Sequence, residues 1–262
     1  MISTLEIAIK AAIEGGKEIL KVYHTHFSVE IKEDDSPLTL ADKNANAVIN
    51  TFLKQTNFPI ISEENKQIDF SERKNWDTCW IVDPLDGTKE FVKRNGEFTV
   101  NIALVKAGKP ILGVIYVPVS KELYFTAEGI TPSKKITLSE KDSFSFILNH
   151  STALQPSKLR EPIIIVGSRS HLNEATQNYI SEIEKQSTIE MVSKGSSLKF
   201  CLVAEGKAHV YPRFAPTMEW DTAAGQAICE AVGVSVINQE TQEPLRYNKE
   251  NLLNPYFLVS AL

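Results

Sequence analysis

Cysteine is scarce in this chain. Its 262 residues contain three, Cys79, Cys201 and Cys229, scattered and with no Cys-x-x-Cys pair. That excludes a disulfide framework and a thiolate zinc site, and it fits a reduced cytoplasmic setting. Apolar runs of membrane-spanning length are absent, as is a signal-peptide pattern, so contact with a membrane is limited to peripheral attachment at the inner face. No basic run is long enough to form a nucleic-acid surface, and the formal net charge is -5. Polymeric nucleic acid is thereby excluded as a partner, whereas a small nucleotide needs only a few local cations. Internal repeats and low-complexity segments are also missing. What remains is an ordinary globular composition, long enough to bury a large core as one big domain or two joined halves.

The most informative stretch is Trp80-Ile-Val-Asp-Pro-Leu-Asp-Gly-Thr-Lys-Glu-Phe91. Trp80 to Val82 read as the end of a buried strand, broken at Asp83-Pro84. Pro84 fixes φ and has no N–H to give, so a turn is expected there. The turn would bring Asp83 and Asp86 to one side, with the Leu85 carbonyl between them. Such hard oxygens suit magnesium, which keeps positions open for water and phosphate. Gly87 and Thr88 can offer N–H groups to an anion if a helix starts there. An ordinary acidic turn needs fewer specific residues than Asp-Pro-Leu-Asp-Gly-Thr.

The segment before this stretch reads as follows. Leu5, Ala8, Ile9, Ala12, Ile13, Ile19 and Leu20 predict a packing helix, with Ser3 and Glu6 as a capping box. His24 and His26 read as a solvated loop end, and residues 28–37 as a mobile loop. Thr39-Leu-Ala-Asp42 opens a second helix, and taken alone Asp42 is its cap. Pro59 to Ser62 predict a short strand that ends in Glu63 and Glu64, a strand-end acid like Asp83. Residues 65–78 read as a connecting loop. Further on, Phe98–Val105 and Ile111–Val117 predict a hairpin, and Glu122–Ala127 a third strand. Residues 1–130 are therefore expected to form an α+β half with a mostly antiparallel sheet.

Residues 131–262 are expected to form an α/β half. Strand-like runs near 135–138 and 144–148 precede a buried strand at Pro162–Val166. Next come Gly167-Ser-Arg-Ser-His171, a helix from Asn173 to Glu184 and a strand over Glu190–Val192. Gly195-Ser-Ser-Leu-Lys199 then leads into a helix through Ala204, and its unpaired N–H groups make an anion-binding candidate. Lys199 adds a point charge. His209–Arg213 returns as a strand, and Arg213 can clamp phosphate or form a surface ion pair. Asp221, at the start of the Trp220-Asp-Thr-Ala-Ala-Gly225 helix, is by itself a cap. Taken with Glu63, Asp83 and Asp86, it is the carboxylate that would close a second metal site. Val232–Ile237 and Tyr256–Ser260 finish as strands.

Asp83-Pro-Leu-Asp-Gly-Thr88, with Ser62-Glu-Glu64 before it and Trp220-Asp221 after it, resembles the inositol monophosphatase superfamily of magnesium-dependent, often lithium-sensitive phosphatases. Lys89-Glu-Phe91 with Lys93-Arg-Asn-Gly-Glu-Phe98, Ser168-Arg-Ser-His171, and Gly195-Ser-Ser-Leu-Lys-Phe-Cys201 running to Tyr211-Pro-Arg213 resemble its bacterial 3'(2'),5'-bisphosphate nucleotidase branch. The resemblance implies a five-layer αβαβα sandwich. By resemblance, Glu63, Asp83, the Leu85 carbonyl, Asp86 and Asp221 match ligands for two or three Mg2+ ions, and Asp42 and Thr88 match the pair that orients the attacking water. Gly87, Thr88, His171, Ser196, Lys199 and Arg213 match substrate contacts. The implied reaction is hydrolysis of 3'-phosphoadenosine 5'-phosphate to AMP and phosphate, removing a by-product of sulfur assimilation, in a monomer or homodimer. An inositol or sugar monophosphatase and a non-catalytic nucleotide-binding regulator are the alternatives.

Overall fold

The computed structural model describes residues 1–25, 29–31, 37–139, 142–158, 161–167 and 173–262. The first helix, α1 (Ile2–Tyr23), buries the expected apolar stripe, including Leu5, Ala8, Ile9, Ala12 and Ile19. It begins one residue before Ser3 and Met1 stands at its cap, so the expected Ser3–Glu6 capping box does not form. Part of the expected 28–37 loop is a two-stranded ribbon, β1 (Val29–Ile31) paired antiparallel with β2 (Pro37–Thr39). His26 and Asp35-Ser36 lie outside the described residues. Helix α2 (Leu40–Leu53) carries the predicted Thr39–Asp42 capping box.

Strand β3 (Ile60–Ser62) pairs parallel with β4 (Thr78–Asp86), and the connector between them contains a short helix, α3 (Phe70–Arg73). The strand β4 does not stop at Asp83-Pro84 as expected. It stays paired with β5 (Thr99–Lys106) as far as Asp86, with a register shift between Asp83 and Asp86. A proline without an N–H is tolerated at such a bulge, and the bulge re-aims the side chains beside it. A short helix, α4 (Thr88–Val92), follows. The predicted hairpin joins β5 to β6 (Lys109–Val117), with Ala107 and Gly108 at φ 49° and 74°. Next come β7 (Glu122–Ala127) and β8 (Ile130–Thr137), which pair with each other, so the first sheet continues past residue 130.

Residues 144–148, expected as a strand, lie in helix α5 (Phe144–His150), where Ser143 Oγ accepts from the Phe146 N–H at 3.1 Å. Phe144, Ile147 and Leu148 are spaced three and four apart, so one short apolar run fitted both periods. Strand β9 (Thr152–Ala153) closes the seven-stranded sheet, ordered β3-β4-β5-β6-β7-β8-β9. The remaining elements are β10 (Ile163–Gly167), α6 (Glu174–Glu184), β11 (Ile189–Ser193), α7 (Leu198–Ala204), β12 (Val210–Arg213), α8 (Glu219–Glu230), β13 (Ser235–Asn238) and β14 (Phe257–Ser260). Their five-stranded sheet runs β11-β10-β12-β14-β13.

Three apolar clusters separate five layers. Leu5, Ile9 and Ile49 of α1 and α2 pack on Trp80, Ile102 and Val114 of the seven-stranded sheet. On the other face of that sheet Ile81, Ala103 and Ile115 meet Phe200, Cys201, Ala224 and Ile228 of α7 and α8, which in turn cover Val236, Phe257 and Val259 of the second sheet. Outside the second sheet, Tyr179, Ile180 and Ile183 of α6 lie against Ile163, Ile165 and Val210. This is the αβαβα sandwich. Helices α7 and α8 sit between the sheets, so their N-terminal ends come to the edge where β4 ends.

Candidate active site

Strand β4 delivers three of the predicted groups. Asp83 is 2% exposed, and the Leu85 N–H donates to its Oδ1 at 3.0 Å. Burial, then the nearby carboxylates of Glu63, Asp86 and Asp221, hold the Asp83 carboxyl well above the usual carboxylate range. Asp221, at the start of α8, is pushed up to about 8 by burial and then by Asp86, with Glu63 adding to it. Four acids from three separate segments therefore feel one another. Each raised pKa is the signature of crowded negative charge in a site where water screens it poorly.

As the side chains stand, no group of three or more His, Cys, Asp or Glu among the described residues is arranged to hold a metal ion. Two of the acids are engaged by the protein itself. Asp86 Oδ2 accepts from the Ser197 N–H at 2.6 Å, Ser197 Oγ at 2.7 Å and Asn101 Nδ2 at 3.2 Å. Asp221 Oδ2 accepts from the Met218 N–H at 2.8 Å, as a helix cap does. The chemistry of the donor set nevertheless fits a hard divalent cation. It consists of carboxylates and a carbonyl, with no thiolate or imidazole, and their mutual repulsion is what such a cation relieves.

Asp42 does two jobs with its two oxygens. Oδ2 accepts from Thr39 N at 2.8 Å and Thr39 Oγ1 at 2.7 Å, forming the cap. Oδ1 accepts from Thr88 Oγ1 at 3.3 Å, and the same hydroxyl lies 3.3 Å from the Leu85 carbonyl. Thr88 reaches this position because Gly87 stands at φ 92°, where the chain leaves β4 for α4. A Cβ on Gly87 would also meet Ser196 Cβ at 3.2 Å, so this glycine lets the two halves of the site touch.

A cavity of about 380 Å³ opens here. Asp86, Gly87, Thr88, Ser196, Lys199, Arg213 and Asp221 all line it. Glu63 lies just past β3 and bears on both Asp83 and Asp221 through its charge. Lys199 is 6% exposed, with Nζ donating to Ser196 O at 2.6 Å and Lys194 O at 3.3 Å, above the Tyr211 ring. Burial lowers this ammonium to about 8, against the pull of Asp86 and Asp221. Two of its protons are thus spent on the loop before α7. Arg213 Nη2 donates to Pro216 O at 2.9 Å, while its Nε and the Ser196 Oγ are buried without a hydrogen-bond partner. The site therefore brings together all the predicted residues except His171, which lies outside the described residues.

Sequence reasoning passed over the residues that hold the acids. Ser197 is 1% exposed and caps no N–H of α7 with its side chain, because its hydroxyl is placed between Asp86 and the Asp221 carbonyl, 2.9 Å away. Thr99 and Asn101 are buried on β5 and point at the same Asp86 oxygen. Their signal was present: two polar residues at strand spacing inside an otherwise apolar run. Glu97 accepts from the Gly195 N–H at 3.0 Å and from Lys194 Nζ at 3.1 Å, and so fixes the 195–197 loop.

Comparison with known proteins identifies the family and the fold. The profile of the inositol monophosphatase family matches residues 2–258. The 3'(2'),5'-bisphosphate nucleotidase CysQ of Salmonella typhimurium is 42% identical over 260 residues, covering 98% of this chain and 99% of that protein. The protein of the same name from Haemophilus influenzae is 35% identical, covering 95% and 89%. The crystal structure of CysQ from Bacteroides thetaiotaomicron superposes with a TM-score of 0.90 at 51% identity, covering 100% of this chain and 98% of that one. The Thermotoga maritima inositol monophosphatase shares the fold, with a TM-score of 0.72 at 23% identity. A family match that runs nearly end to end, with relatives of 35–42% identity covered almost completely, places this chain in the inositol monophosphatase family.

Proposed function

We propose that the chain is a magnesium-dependent phosphatase that removes the 3'-phosphate of 3'-phosphoadenosine 5'-phosphate, giving AMP and inorganic phosphate. The observation that carries this reading is one cavity lined both by Asp86 and Asp221 and by Lys199 and Arg213. A substrate with two phosphates needs both kinds of surface: acids that recruit cations to the ester being cut, and fixed cations for the phosphate that stays. The proteins named CysQ that match this chain at 42% identity support the same substrate.

Two or three Mg2+ ions at Glu63, Asp83, the Leu85 carbonyl, Asp86 and Asp221 would supply Lewis-acid activation of water and neutralise charge on the phosphoryl and leaving oxygens. The chain's own part is positioning. Thr88 accepts a hydrogen bond from the attacking water while donating to Asp42 Oδ1, so the proton is drawn towards a carboxylate already fixed by Thr39. Ser197 keeps Asp86 and the start of α8 in register. Ser196, Lys199 and Arg213 hold the 5'-phosphate, with His171 assigned to the same group by family resemblance. No residue here has to form a covalent phospho-enzyme. A cytoplasmic location and inhibition by lithium belong to the same reading.

The test is a phosphate-release panel in magnesium with 3'-phosphoadenosine 5'-phosphate, AMP and inositol 1-phosphate. The bisphosphate is expected to give the highest kcat/KM, with loss on adding lithium or a chelator. Faster turnover of inositol 1-phosphate would make the chain a sugar monophosphatase. Binding of the bisphosphate without phosphate release would make it a nucleotide-binding regulator.

A further inference from the structure

A network outside the cavity ties two distant acids of the site together. Glu219, the first residue of α8, is fully buried, and its carboxylate accepts from the N–H groups of Asn248 at 2.6 Å and Lys249 at 3.0 Å and from Lys249 Nζ at 2.6 Å. It stands two residues before Asp221. The 248–250 loop is held from its other side by Arg73, which is 4% exposed. Arg73 Nη1 donates to Asn248 Oδ1 at 2.8 Å and Lys249 O at 3.1 Å, Nη2 to Glu250 O at 3.3 Å, and Asn248 Nδ2 returns to Arg73 O at 2.8 Å. Arg73 Nε also donates to Ile68 O at 2.8 Å, and the adjacent Gln67 donates to Ser62 O at 2.9 Å, directly before Glu63. The path from Glu63 to Asp221 thus runs through one guanidinium, one loop and one buried carboxylate.

We propose that Arg73, Asn248 and Glu219 form a clamp that sets the separation of Glu63 from Asp221, making Arg73 and Asn248 positioning residues for the divalent-cation site. The inference rests on the reading of Glu63 and Asp221 as cation ligands. A buried arginine satisfying four acceptors in a fixed fork is a stiff spacer, and a lysine cannot reproduce it. Groups behind metal ligands commonly govern cation affinity by 10- to 100-fold.

Asn248 offers a clean test because its φ is 58°, a conformation glycine adopts without strain. Asn248→Gly deletes only the side-chain link to Arg73. Gln242, also at φ 58° and exposed away from the cavity, supplies the matched control Gln242→Gly. Mg2+ binding to the metal-free full chain is measured by titration calorimetry, alongside KM for 3'-phosphoadenosine 5'-phosphate at saturating Mg2+. The expected result is about tenfold weaker Mg2+ binding in Asn248→Gly and in Arg73→Lys, the double variant no weaker than the worse single one, unchanged KM, and wild-type binding in Gln242→Gly. Wild-type affinity in both clamp variants overturns the clamp and leaves the cation site standing. No Mg2+ binding to the unmodified protein overturns both.

Discussion

Asp83 shows what the site asks of single residues. Its carboxyl is almost wholly buried and faces three other acids, and burial first, then their charge, holds it towards the neutral form. Asp83→Asn mimics that neutral form in nearly the same shape. We therefore expect the variant to fold with the wild-type circular-dichroism spectrum and to lose turnover; near-normal activity would rule out a metal role for Asp83. The pH dependence has a definite sign. Asp221 is raised from the ordinary carboxylate range to about 8, so between pH 4 and 8 the folded metal-free chain binds protons that the unfolded chain has released. The stability Asp221 contributes is complete at low pH and is lost as pH rises through about 8. Thermal melts of chelator-treated protein should show this fall, and Mg2+ added at pH 8 should release protons and recover more stability than at pH 5. A metal-free melt that is flat from pH 5 to 8 would contradict the crowding of the acids.

At the scale of elements, the 195–197 loop is the least replaceable piece. A Cβ on Gly195 would sit 2.8 Å from Glu97 O and 2.8 Å from Glu90 Cγ, so both the Glu97 backbone and the Glu90 side chain must give way. Gly195→Ala should cost about 1–3 kcal/mol in denaturant unfolding and lower kcat by moving Ser197 off Asp86. Unchanged kcat with a stability loss would show that the loop need not be held so tightly. How far such features could be read from the sequence depended on their range. Asp83 to Thr88 were legible because the ligands and the turn are contiguous. From its neighbouring residues alone Asp42 is legible only as a cap, and its pairing with Thr88 rests on the family resemblance, since that bond reaches 46 positions along the chain. The Arg73–Asn248 link spans 175 positions and leaves no local pattern at all. Helix α5 reads as a strand in the sequence because its apolar run is too short to separate two periods. The bulge in β4 reads as a turn in the sequence because Pro84 breaks a strand ladder and makes a turn with the same missing N–H.

For the whole molecule, the site is a joint. The seven-stranded sheet brings Asp83 and Asp86 on β4 and Glu63 just past β3, while the layer between the sheets brings Ser197 directly before α7 and Asp221 on α8. A cation shared across that joint should stabilise the folded chain as any ligand of the native state does. At a concentration 100 times its Kd the gain is about 2.7 kcal/mol. For a chain of this size that corresponds to a rise in Tm of roughly 5–10 °C. Scanning calorimetry should find this rise with Mg2+ in the wild type and its absence in Asp83→Asn. Equal rises in both would place the stabilising cation elsewhere.

On the proposed function, acids from separate segments of the chain share one divalent-cation centre facing a phosphate ester. Its most direct test is anomalous diffraction from crystals soaked in Mn2+ as a stand-in for Mg2+. We predict peaks bounded by Glu63, Asp83, Asp86 and Asp221, at the edge of the cavity that Thr88 and Lys199 line. Well-diffracting crystals with Mn2+ bound only elsewhere, or with Glu63 and Asp221 facing no peak, would contradict it.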